Sequence, residues 1–313
     1  MMNEYSDEIL LISKCGSFSK AAEQLGITQP ALSFRIKKME EKLGAKIFER
    51  TSDKSLTKEG EILIEYLKKR KLLDAELQNR LDDLHRNLCG SLVIGSTHGF
   101  ALGYLPYCVQ KYAARFPNVN IQLIEGTMPE IEQKAREGEI DIFITGVEFE
   151  SVEFEKEFLF REDIFLCVPP HFRHDSRFKD KIITKDMLQM CDIGETKSLP
   201  QIDLALLSGE TFILLPEDFN VGRVAGSILG TFTEKGKLHT MVTNQMTTGV
   251  ALSQRGLGVS FVTEDYVRYV DCAEFPALLK VNVGSSYRNV YVAYAKRRYL
   301  SNAAHALLDI IKE

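Results

Sequence analysis

The sequence predicts an α+β, multidomain chain: a small helical head, one long connecting helix and a large α/β body. Three observations carry this. Gly16, Gly26 and Gly44 punctuate three amphipathic helical stretches near the start. The stretch from Lys58 to Leu88 holds no proline, and no glycine after Gly60. From Gly90 onward, short apolar strands alternate with helices at short intervals, the pattern of a parallel sheet.

The elements follow in order. Ile9, Leu10 and Ile12 lie at helical spacing in the first helix, which Gly16 ends. Ser17 stands at the N-cap of a second helix, with Lys20 where a capping box would prefer Glu. Phe18, Ala21, Ala22 and Leu25 form its apolar stripe, and Gly26 supplies the positive φ of a helix end. Thr28 caps a third helix, with Pro30 in the first turn, where a missing N–H costs nothing. Leu32, Ile36, Met39 and Leu43 share one face of it. Gln29, Ser33, Lys37 and Glu40 are expected opposite. Two extended pieces around Ser52-Asp53-Lys54 then suggest a two-stranded wing. In the long helix, Leu63, Leu67, Leu77, Leu81, Leu84 and Leu88 fit one heptad register, interrupted by Arg70 and Asp74, which suggests a dimerising helix. The body opens with SLVIGS, NVNIQLIEG and EIDIFITG as strands. A second series begins near Ile164 and runs through TFILLP, KLHTMVT, GVSFVT, LKVNV and NVYVAYA, with a last helix over 302–311.

Helix, tight turn and a helix opening Thr28-Gln29-Pro30 match helix-turn-helix geometry. Such a helix presents its N-terminal polar side chains to the major groove. Gln29 can bond adenine bidentately, and Thr28 can meet base edges or a thymine methyl. Ser33, Arg35, Lys37 and Lys38 suit phosphates. Arg50 and Lys54 would bring the wing to the backbone or minor groove. Ser17, Ser19, Pro30 and Thr57 complete the predicted DNA-facing set.

Charge distribution agrees. The 313 residues carry a net charge of −5. Residues 1–60 hold ten Lys/Arg against nine Asp/Glu, a net of +1, which leaves −6 for the rest. Thr28 to Lys58 holds eight basic residues against four acidic. A locally basic segment on an acidic body fits a DNA-reading head on a domain that does not touch DNA. No run approaches the roughly 20 apolar residues of a membrane helix. The acidic N-terminus lacks the basic start and apolar run of a secretory signal, so a cytoplasmic chain away from membranes is expected. The six cysteines are scattered without a C-x-x-C pair, so reduced thiols and no structural metal are expected.

GSFSKAAEQLGITQPALSFRIKKMEEKLGAKIFERT, followed by LTKEG, resembles the N-terminal signature of LysR-type transcriptional regulators. The resemblance extends through the long helix and the α/β remainder, including TNQMTTGVALSQRGLGVSFV. Phe34 departs from it, standing where the family often has a polar or basic residue, and the wing is lightly charged. The resemblance implies a winged helix-turn-helix over 1–58, a linker helix over 59–89, and a two-lobed, periplasmic-binding-protein-like effector domain over 90–313. Lobe I would comprise 90–165 and 271–313, and lobe II 166–270. The chain would cross between lobes near Val168-Pro169-Pro170 and again near 271–276. The implied partners are double-stranded DNA with an interrupted inverted repeat, a second copy of the chain in a homodimer or homotetramer, and a small-molecule effector. RNA polymerase is a further candidate partner.

Ligands gather where helices start at strand C-termini, because free N–H groups attract anions. Ser96, Thr97 and His98 follow the first body strand, Thr127 the second, and Thr145 and Gly146 the third. Phe219 and Asn220 follow TFILLP. This set is the predicted effector site, with Ser96, Thr97, Thr127, Phe219 and Asn220 the contacts that the family resemblance implies, and its hydroxyls suit a small organic anion. Phe219 would supply an apolar wall, and His98 could titrate near neutral pH. No cofactor, metal or catalytic residue is expected. The rivals are a thiol-based redox sensor of the same architecture, with Cys191 as candidate, and from other classes a free solute-binding protein or a metal-dependent enzyme using His171, His174 and Asp175. The enzyme reading lacks the H-E-x-x-H helix, the G-x-S-x-G elbow and a phosphate-binding glycine loop.

Overall fold

A computed structural model describes residues 5–49, 55–84, 90–147, 151–231, 238–270, 274–284 and 286–312. The chain divides into two compact units, Met1–Leu81 and Asp82–Glu313.

The first unit contains α1 (Ser6–Cys15), α2 (Phe18–Gln24), α3 (Gln29–Leu43) and most of α4 (Lys58–Leu84). Its caps are those the sequence predicts. The Ser17 side chain accepts from the Lys20 N–H, and Thr28 accepts from Ala31. Gly16 and Gly44 close α1 and α3 in the left-handed region. The core joins Ile9, Ile12, Phe18, Ala21 and Ala22 to Leu32, Ile36 and Met39 of α3. Ile47, Phe48, Leu63, Ile64 and Leu67 complete it. The wing base is one antiparallel bridge, Phe48 to Leu56. Here α4 passes close to the backbone: a Cβ at Gly60 would lie 2.1 Å from the Ile47 carbonyl oxygen, so only glycine fits. Leu63 and Leu67 of the predicted heptad are therefore spent on the head core. Farther along α4, Leu73, Leu77 and Leu84 are exposed. Leu88 lies outside the described residues.

The second unit is two-lobed. In lobe I, β1 (Gly90–Ser96) pairs in parallel with β2 (Val119–Glu125) and β3 (Ile142–Thr145). Around this sheet lie α5 (His98–Leu102), α6 (Tyr104–Arg115) and α7 (Met128–Arg136). A 15-residue strand, β4 (Phe154–Val168), serves both lobes. In lobe II come α8 (Lys185–Gln189), β5 (Gln201–Ile202), β6 (Thr211–Leu214), α9 (Asn220–Gly230) and β7 (His239–Val242). They are followed by α10 (Met246–Gln254), β8 (Val259–Thr263), α11 (Glu264–Tyr269) and β9 (Ala277–Val281). The chain returns to lobe I with β10 (Tyr287–Ala295) and α12 (Asn302–Lys312). Sheet order is β2-β1-β3-β10-β4-β8-β6-β7. The last turn of α4 joins this unit, where the Asp83 carboxylate accepts from the Tyr299 hydroxyl and caps α12 at the Asn302 N–H.

Strand pairing moves both lobe crossings. Residues Phe154–Asp163 of β4 pair with β10 in lobe I, whereas Ile164–Cys167 pair with β8 in lobe II. The first crossing is thus at Asp163-Ile164 and not at Val168-Pro169-Pro170. The prolines attract a boundary in the sequence, but they only end the strand. β9 pairs with β4 and β5, so residues 277–281 belong to lobe II. The second crossing therefore falls between β9 and β10 and not ahead of β9; of the expected 271–276, residues 271–273 lie outside the described residues. Each lobe has its own core, one around Phe100, Tyr104 and Tyr112, the other around Phe165, Phe212 and Phe261. Among the described residues no helix is long and apolar enough to cross a membrane.

Candidate DNA interface and effector cleft

On α3, Leu32, Ile36 and Met39 face the core. Pro30, Phe34, Lys37 and Lys38 are exposed on the opposite side. Gln29 and Ser33 are half-buried, and the Gln29 amide donates to the Ser33 hydroxyl at 2.7 Å. The amide keeps a second N–H and its carbonyl oxygen for a base edge. Two predicted DNA contacts have other work. Arg35 points back onto α1, where its guanidinium meets the Glu8 carboxylate at 3.0 Å. Its helical position lies on the flank that packs on α1. The Thr57 hydroxyl donates to the Lys46 carbonyl at 2.5 Å and accepts from the Gly60 N–H at 2.9 Å. It caps α4 and holds the wing base. Ser17 likewise serves as a cap, while Ser19 and Thr28 are exposed. Arg50 and Lys54 lie outside the described residues. One contact that sequence reasoning missed fixes the wing: Glu40 accepts from the Ile47 N–H at 2.8 Å and pairs with Lys46 at 3.0 Å.

In the second unit, a cavity of about 390 Å³ is lined by Gly146, Asn220, Arg223, Val224, Ser227, Gly284, Tyr287, Arg288 and Asn289. It collects the end of β3, the first turns of α9 and the start of β10. Of the predicted effector set, only Gly146 and Asn220 line it. The others do not, for identifiable reasons. Thr127 donates its hydroxyl to the Glu130 carboxylate at 2.8 Å, part of a capping box on α7. Thr145 is buried, and its oxygen accepts from the Val147 N–H. Ser96 is buried and donates to the neighbouring Thr97 carbonyl. His98 pairs with Glu125 at 2.9 Å. Thr97 and Phe219 stand at the N-caps of α5 and α9 outside this lining. Gly222 lets α9 start tightly, because a Cβ there would meet the Pro216 carbonyl oxygen at 2.1 Å.

Arg288 is the residue the sequence reading missed. It is only 8% exposed. In strand register it faces Glu162, and its Nε donates to that carboxylate at 2.6 Å. Its guanidinium lies over the Phe100 ring at 4.3 Å and against Gly146, where a Cβ would come within 3.0 Å. Among the described residues its Nη2 has no hydrogen-bond partner, although the Asp265 carboxylate lies 3.9 Å away, and the Asn220 Oδ1 likewise has none. The available signal was period two: Arg288 shares a strand face with buried Val290 and Val292, a charge where an aliphatic residue is expected.

This arginine belongs to a buried ionic cluster at the first crossing. Glu162 also accepts from the Asp265 N–H at 2.9 Å. Next to it, Asp163 pairs with Lys280 at 2.6 Å and with the Thr196 hydroxyl. Glu264 accepts from the Asp163 and Gly194 N–H groups and pairs with Arg268 at 2.6 Å. Burial pushes the Glu162 carboxyl up, with Asp265 adding to the rise and Arg288 opposing it. Burial also raises Glu264. Among thiols, Cys108 is pushed up to about 11 by burial, which makes it a poor nucleophile at neutral pH. Cys191 is half-buried beside the Ser198 hydroxyl. Asp175, of the His171-His174-Asp175 group, is held by Arg177 at 2.6 Å.

A reading head with a winged helix-turn-helix and a two-lobed α/β unit with a charged cleft define a ligand-responsive DNA-binding regulator. Residues 9–61 match the family model described as bacterial regulatory helix-turn-helix protein, lysR family, and residues 85–313 match the LysR substrate binding domain. The chain belongs to the LysR family of transcriptional regulators. It is 28% identical to the HTH-type transcriptional regulator YcgK of Bacillus subtilis, over 99% of this chain and 93% of that one. It is 27% identical to a probable RuBisCO transcriptional regulator of Cyanidioschyzon merolae, over 92% and 90%. Among solved structures it resembles full-length OxyR of Pseudomonas aeruginosa, with a TM-score of 0.65, 20% identity, and 100% and 95% coverage. CbnR complexed with its target DNA gives a TM-score of 0.65 at 17% identity, with 99% of each chain covered.

Proposed function

We propose that this transcriptional regulator responds to a small organic anion bound in the cavity between α9, the end of β3 and the start of β10. The observation that carries this is Arg288: a nearly buried guanidinium at the cavity wall whose Nη2 has Asp265 at 3.9 Å but no hydrogen bond among the described residues. A buried donor left unsatisfied is costly, and a carboxylate would satisfy it. Arg223, exposed on α9, adds a second positive charge to the same lining. The effector site is therefore displaced from the predicted hydroxyls at strand ends toward two arginines.

Exposed Leu73, Leu77 and Leu84 on α4 suit pairing with a second copy. A dimer with two recognition helices would read an interrupted inverted repeat. RNA polymerase would be the partner in an activating complex. Because Glu162, the pairing partner of Arg288, precedes the lobe crossing, an anion at Arg288 would alter the balance of charge at the hinge. The anion must bind the two lobe arrangements unequally to shift DNA binding.

Calorimetry with amino acids, dicarboxylates and aromatic carboxylates, set against cations and neutral sugars, tests the site. Binding confined to anions, and weakened by Arg223→Ala, is expected. Binding only of cations or sugars contradicts it.

A further inference from the structure

We propose that Phe34 is a specificity-determining residue that reads the C5-methyl group of a thymine in the major groove. The proposal rests on the DNA-binding head alone and is independent of the effector cavity.

Phe34 is 68% exposed, a large aromatic side chain left in water. A single exposed apolar residue needs no explanation by itself. Its position supplies one. The core side of α3 is Leu32, Ile36 and Met39, and Phe34 stands on the side directly opposite. Pro30 lies one turn before it, and Lys37 and Lys38 one turn after, all exposed. This is the face that a recognition helix turns to the major groove. The two lysines can hold flanking phosphates, which fixes the height of the ring over the base edges. A phenyl ring neither donates nor accepts a hydrogen bond. The apolar feature that base edges present in that groove is the thymine methyl. Phe34 therefore adds to the head a reading element that polar side chains at its position could not supply.

The test uses the full chain. Selection from a random duplex pool gives the preferred site, and each thymine in it is then replaced singly by deoxyuridine, which lacks only the methyl group. At one thymine per half-site, wild type should lose about fourfold in affinity, the worth of one buried methyl-sized group at about 0.8 kcal/mol. Phe34→Ala should bind the thymine and uracil duplexes equally at that position while keeping the wild-type circular dichroism. If Phe34→Ala binds no duplex, Phe34→Leu and Phe34→Gln replace it, and only the leucine variant should retain the uracil penalty. The proposal is overturned if wild type tolerates every uracil. It is equally overturned if Phe34→Ala keeps the penalty, or changes the oligomeric state with no methyl effect.

Discussion

In the DNA-reading head the charges stand outside an apolar core, whereas in the effector unit several are buried where one lobe passes into the other. Lys37 and Lys38 are exposed on α3, and Lys37 reaches across the helix surface to the exposed Glu41 at 3.9 Å. Glu162, Asp163, Glu264, Asp265, Lys280 and Arg288 are all buried. The difference follows from the tasks. A surface that meets phosphates gains from solvated, mobile cations and loses little when one is removed. A buried charge at a lobe crossing is fixed in a low-dielectric setting, and each partner there depends on the other.

The sharpest way to break this contrast is Arg288→Ala. It removes the cation paired with Glu162, a change that costs about 3–5 kcal/mol in buried pairs at a pH where the carboxyl is ionised. Hydrogen exchange on the full chain should show the loss in the second unit and leave protection in the head unchanged. Equal loss in both units would remove the distinction.

Glu162 titrates higher in the folded chain than in the unfolded one, so the folded state holds its proton to higher pH. Its contribution to stability is complete below the ordinary glutamate range and is lost as pH rises through the raised value. Urea unfolding of the second unit should show this decline, and Glu162→Gln should flatten it. An unchanged pH profile in that variant would place the titration elsewhere.

Within the head the effects are smaller. Thr57→Ala removes the cap of α4, a loss of about 1 kcal/mol. Melting temperature should fall while the salt dependence of DNA binding stays as in wild type, because the hydroxyl is bonded to the backbone of Lys46 and Gly60. Lys37→Ala should do the reverse. Stability should hold, affinity should weaken alike for all sequences, and the salt slope should drop by about one unit.

The same contrast explains what the sequence disclosed. The head is built from local rules, so Gly16, Ser17, Thr28, Pro30 and Gly44 mark its helices within a residue or two. Even there, the role of Arg35 was hidden, because its partner Glu8 is 27 positions away and on another helix. In the second unit the strands were legible as apolar runs, but not the first half of β4. That half has mixed polarity, and it is stabilised by pairing with a strand over a hundred residues later. The cavity was less legible still. Hydroxyls at strand ends were candidates by position, yet Thr127 and Thr145 complete their own turns. Arg288 breaks the apolar period of its strand, but its partner Glu162 is fixed only by the pairing of β10 with β4.

In the proposed function, an anion held beside Arg223 and Arg288 changes how the head binds DNA. The most direct test is the affinity of the full-length protein for its selected duplex, with and without an anion found by calorimetry, in wild type and in Arg223→Glu. Wild type should change by about fivefold or more, the lower range of allosteric couplings, and Arg223→Glu should show no change on adding the anion. An undiminished response in Arg223→Glu would contradict the claim.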